Sequence, residues 1–127
     1  MIDHIGLTVT NHKKSKNFYA NALAPLNIAL VAEANGWSGF GKLSEAKADF
    51  WFGEDDHPQA PIPIAFMADS RAQVDLFYHA AISAGGKDNS KPGLRDEYHA
   101  HYYGAFVIDT DGHNIEAVRH AKHYISS

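Results

Sequence analysis

Asp3-His4-Ile5-Gly6-Leu7-Thr8-Val9 returns later in the chain as Ile62-Pro63-Ile64-Ala65-Phe66-Met67-Ala68, at an offset of 63 − 4 = 59. Carried on without a gap, the same offset sets Asn11 on Ser70, Phe18-Tyr19 on Phe77-Tyr78, and Ala22-Leu23 on Ala81-Ile82. Two aromatic residues falling on two aromatic residues inside matched apolar patterns marks an internal repeat. The chain therefore reads as a single 1–127 domain of two modules, 1–53 and 62–120. Between them lies an acidic, proline-punctuated linker, Glu54 to Pro61.

Each module opens with alternation. Ile5, Leu7 and Val9 share one face and His4, Gly6 and Thr8 the other, the period-2 mark of a strand. A helix follows. In the second module Ser70 and Gln73 form a capping box, and Val74, Phe77, Tyr78, Ala81 and Ile82 make a stripe that Gly85-Gly86 ends. In the first module the stripe after Asn11 is Phe18, Tyr19, Ala22 and Leu23, ended by Pro25. Strand-like segments complete module one at Ile28–Ala34, Trp37–Leu43 and Ala48–Gly53. Module two has a poorly defined piece near Arg95–His99, then Tyr103–Asp109 and Asn114–His120, the last two joined by a tight turn at Thr110-Asp111-Gly112. The fold class is α+β: two βαβββ modules in tandem.

Alternation also selects the candidate site. If Ile5, Leu7 and Val9 pack under a helix, His4 faces away with small neighbours. If Phe50 and Phe52 pack inward, Trp51 faces away, and if Ile115 and Ala117 pack inward, so does Glu116. Four equivalent positions emerge: His4 and Trp51 from module one, Pro63 and Glu116 from module two. Imidazole nitrogen and carboxylate oxygen are both divalent-metal donors.

These residues, with the ending Asp109-Thr110-Asp111-Gly112-His113-Asn114-Ile115-Glu116, resemble the vicinal oxygen chelate superfamily of glyoxalase I, bleomycin resistance proteins and extradiol dioxygenases. The resemblance covers nearly the whole chain. It implies a cup-shaped mixed sheet, often in a homodimer, and a small-molecule substrate. It also implies a divalent ion (Fe, Mn, Ni or Zn) held by His4 and Glu116, with Glu116 as a base if it leaves the ion. Pro63 stands where that pattern has a second histidine and Trp51 where it has a further carboxylate, so a third donor would come from His57, His99 or His101. The metal reading implies lyase, isomerase or dioxygenase chemistry; the metal-free reading is a small-molecule binding protein of the bleomycin-resistance type.

The segment Lys91 to His99 reads either as a surface connection or as a lid. In the lid reading Arg95 grips an anion, while His99, Tyr102 and Tyr103 bond substrate and Trp51 lines the wall. Trp37, Trp51 and Phe52 read first as core and second as ligand walls. His113 reads as a hairpin stabiliser, and His12, His79, His120 and His123, for which the sequence suggests no partner, are assigned no role. Lys plus Arg (11) against Asp plus Glu (15) give a net charge of −4, which disfavours a nucleic-acid partner. No apolar run is long enough for a membrane span, no basic-then-apolar leader opens the sequence, and cysteine is absent. Together these point to the cytoplasm.

Overall fold

The computed structural model describes residues 1–120 of the chain; His123 lies outside them. Module one comprises β1 (Ile5–Val9), α1 (His12–Ala22), β2 (Ile28–Ala34), β3 (Trp37–Lys42) and β4 (Phe50–Glu54). Module two comprises β5 (Pro63–Met67), α2 (Arg71–Ser83), β6 (Lys87–Leu94), β7 (Tyr102–Ile108) and β8 (Asn114–His120). The sheets run β1-β4-β3-β2 and β5-β8-β7-β6, so both repeats share one topology: the first strand of each lies parallel to the last and at the sheet's edge. Register repeats too. Gly6 pairs Trp51 in the first sheet, and Ala65, 59 residues on from Gly6, pairs Glu116 in the second.

Local chemistry explains the helices. Asn11 caps α1 by accepting from the Lys14 N–H at 3.0 Å, and Ser70 caps α2 by accepting from Gln73 at 3.1 Å. The Gln73 side chain reaches back to the Asp69 N–H at 2.7 Å, one residue further than a capping box requires. Pro25 sits in a short 3-10 turn, Ala24–Leu26, that closes α1.

One core joins both modules: Leu7, Val9, Phe18, Tyr19, Phe40 and Phe52 from the first with Val74, Phe77, Val107 and Ile115 from the second, all fully buried. Phe50 meets Phe66 edge-on across the modules at 5.2 Å. Polar ties reinforce the seam. The Tyr19 hydroxyl donates to Asp109, whose other oxygen accepts from the Asp111 and His113 N–H groups of the β7–β8 turn. His113 is buried and its Nδ1 accepts from the Ile62 N–H at 3.0 Å, so it fastens the end of the linker rather than the turn alone. Gln59 of the linker bonds the backbone N–H and hydroxyl of Thr8. No described helix is long and apolar enough to cross a membrane.

The structure corrects the sequence reading in module two. The strand expected near Arg95–His99 is β6, at Lys87–Leu94, and residues 95–101 form the loop that turns it into β7. Arg95 and Tyr102 close that loop through an Arg95 N–H to Tyr102 carbonyl bond of 2.7 Å. Lys91 to Leu94 is thus strand, not part of a lid.

Candidate functional site

On the outer face of the first sheet, two indole rings lie on glycines. Trp37 pairs with Gly53 and Trp51 with Gly39 and Gly6. A Cβ placed on Gly53 would stand 2.7 Å from Cδ2 and Cε2 of Trp37; one on Gly39 would stand 2.8 Å from Cε2 of Trp51. Both contacts are closer than carbon atoms tolerate, so the absent side chains are what let the rings lie down against the sheet. With His4 and Gly6 the tryptophans line a pocket of about 310 Å³. Phe52 is fully buried as expected, but Trp37 is 37% exposed and Trp51 half-buried. The first reading of the two tryptophans as core is therefore overturned. Parity is the reason: in register with Gly53 and Gly6, they sit on the face opposite Leu7, Phe50 and Phe52.

His4 stands just before β1, with Nδ1 2.7 Å from Asp3 Oδ1. Lys47 approaches the same carboxylate at 3.4 Å. The hydrogen bond from His4, followed by that from Lys47, holds the Asp3 carboxyl below its ordinary range.

The outer face of the second sheet has different chemistry. Glu116 is 8% exposed. Its Oε2 accepts from the Tyr102 hydroxyl and lies 3.0 Å from where a Cβ of Gly104 would be, so that glycine makes room for the carboxylate. Burial raises the Glu116 pKa, against the lowering pull of the Tyr102 bond and then of Arg95. Burial and the Glu116 bond push the Tyr102 phenol up. Tyr98 packs edge-on to Tyr102 at 5.1 Å and Phe106 lies beyond it. Arg95 does not reach out for an anion: Nη2 donates to Ser90 Oγ and the Lys91 carbonyl, both at 2.6 Å, and the guanidinium lies over Phe106.

Tyr103 is on the opposite face, donating to Asp75 of α2 at 2.7 Å with Arg71 over its ring, so it does not join Tyr102. His99 is exposed, bonded to the Ala100 carbonyl and edge-on to His120. His57 is exposed on the linker, its N–H bonded to Asp55, and His101 is exposed in the 95–101 loop with a φ of 66°. The structure thus gathers His4 with Trp51, and Glu116 with Tyr102 and Arg95. Among the described residues, no hydrogen bond or ion pair links the first group to the second.

A family model described as Glyoxalase/Bleomycin resistance protein/Dioxygenase superfamily matches residues 1–117. The chain belongs to that superfamily. Solved structures agree on the fold. A glyoxalase/bleomycin resistance protein from Albidiferax ferrireducens T118 is 26% identical, with a TM-score of 0.74 over 92% of this chain and 96% of that one. A glyoxalase/bleomycin resistance protein/dioxygenase family enzyme from Burkholderia phytofirmans PsJN is 14% identical, with a TM-score of 0.71 over 94% and 98%. A glyoxalase-related enzyme from Fulvimarina pelagi is 14% identical, with a TM-score of 0.68 over 100% and 95%. No curated protein matched.

Superfamily membership makes the donor set the question to ask. Catalytic ions usually take three protein ligands and keep a position open. Here position 63 is proline, position 51 is tryptophan, and the Glu116 oxygen is engaged by Tyr102. Among the described residues, no group of three or more His, Asp or Glu side chains is close enough to hold an ion. Among the described residues, the donors within one chain do not fit a catalytic metal.

Proposed function

We propose that this superfamily member binds a flat organic molecule, without needing a metal, in a cup with two unlike walls. One wall is the Trp37–Trp51 platform and the other is the Glu116–Tyr102 face of a second copy. The observation that carries the reading is the pair of indoles laid on Gly39 and Gly53 on the outer face, since stacking surfaces of this kind have no role in a core. The buried Glu116 carboxylate adds polarity. Arg95, the cation whose charge acts on it, is tied to Ser90 and Lys91, which leaves the carboxylate to pair with a cationic or N–H-bearing ligand.

The homodimer belongs to this proposal. Edge strands β1 and β5 flank a cleft of about 290 Å³ where Ile2, Ile5, Phe50, Ile64 and Met67 lie beside the charged Asp3, Lys42 and Asp49. Ile2 is 75% and Met67 67% exposed, an apolar rim that a second copy would bury. A cytoplasmic setting suits a cysteine-free chain.

The competing reading is a metal-dependent lyase, isomerase or dioxygenase with His4 of one copy, Glu116 of the other and a further donor from His57, His99 or His101. What favours it is that Glu116 is a buried carboxylate on its outer face and His4 an oriented imidazole. A thermal-shift screen of metal-stripped protein separates the two. Stabilisation by flat cations in the presence of chelator supports the binding cup. Stabilisation only after Mn, Fe, Ni or Zn is restored, and lost in His4→Ala, supports the metal enzyme.

A further inference from the structure

Resting on the binding-cup reading, the geometry points to Gly6 as the residue that decides which molecules the first-module pocket admits. Having no side chain, it leaves the floor beside the indoles open to a flat aromatic ring, and a side chain there would shut such a ring out. Glycine weakens a strand, and inside one it marks a bulge, a tight bend, or the close approach of a ligand or another backbone. Gly6 marks neither bulge nor bend, since β1 and β4 pair without a break from Ile5 with Phe50 to Val9 with Glu54. Its φ lies outside the left-handed region, so its backbone does not require glycine. Packing within the chain does not require it either. Apart from its chain neighbours, a Cβ on Gly6 would meet one atom within 4 Å, Cζ3 of Trp37 at 3.6 Å, an ordinary van der Waals contact. Gly39 and Gly53 are the contrast, because a Cβ there would collide with Trp51 and Trp37. The repeat supplies a second contrast: Ala65, the counterpart of Gly6 in β5, carries a methyl at the same register position. What remains for Gly6 is the pocket that it lines with His4, Trp37 and Trp51. A methyl on this outer face would enter that pocket beside the Trp37 ring and hold a stacked ligand away from the sheet.

Gly6→Ala tests this with 2-naphthylmethylammonium as the probe, titrated into chelator-treated protein and read by tryptophan emission. Thermal melting and sedimentation are measured on the same samples. The variant should melt no lower than wild type and keep its oligomeric state, yet bind the probe about tenfold more weakly, the effect of one methylene in a fitted pocket. Gly6→Val, a larger intrusion that suits a strand, should bind it more weakly still. Three results overturn the proposal while leaving the aromatic cup standing. One is undiminished affinity in Gly6→Ala. Another is a lowered melting temperature in Gly6→Ala, which assigns the glycine to packing within the chain. The third is a changed oligomeric state, which assigns it to the approach of a second copy's backbone. A wild type that does not bind the probe overturns both the proposal and the cup.

Discussion

At the scale of single residues, the platform depends on what is missing. Gly53→Ala would drive a methyl into the Trp37 ring, and the flanking β-pairs leave the backbone little room to yield. The variant should lose about 1–3 kcal/mol in urea denaturation, with its tryptophan emission shifted to the red as Trp37 lifts into water. Tyr102→Phe removes a hydrogen bond that stabilises ionised Glu116, so the Glu116 pKa should rise further, readable in a carboxyl carbon-13 titration. For Trp51, strand parity with Phe50 and Phe52 points to the outer face and outweighs the first reading of that aromatic as core. Trp37 misled, since an aromatic in a strand suggests a core, and only its register against Gly53 shows the outer face. Tyr102 and Tyr103 were grouped although neighbours on a strand point to opposite faces; parity alone could have parted them.

Among elements, the helices and the first module's strands were readable because capping residues and apolar periodicity agree there. β6 was not. Lys87-Asp88-Asn89-Ser90-Lys91-Pro92-Gly93-Leu94 has almost no strand propensity, and only pairing with β7 makes it extended, with register shifts around Ser90. The seam between α1 and the β7–β8 turn yields a pH prediction. Burial, then the Asp109 charge, raises the Tyr19 pKa well above 10.0. The folded state therefore keeps its proton where the unfolded chain loses it. Full stability holds below pH 10 and declines as pH climbs above that value. Tyr19→Phe should cost about 1–3 kcal/mol at neutral pH, and its stability should fall less steeply in alkali, both measured by denaturant titration across pH.

For the whole molecule, the duplicated sequence announced the duplicated sheet: Gly6–Trp51 and Ala65–Glu116 are one register written twice. What it could not announce is how the two outer faces meet, because that is decided by packing between modules and copies rather than by any local pattern. Mixed dimers address this. A heterodimer of one Trp51→Ala chain and one Glu116→Gln chain has one cup with both groups intact if the walls come from different copies, and none if each cup lies within a chain. One full-strength site per heterodimer is expected in calorimetry. The most direct test of a metal-free aromatic cup is a titration of chelator-treated protein with 2-naphthylmethylammonium, followed by tryptophan emission. Saturable quenching that disappears in Trp51→Ala and weakens in Glu116→Gln is expected; emission that stays unchanged until a divalent ion is added would contradict it.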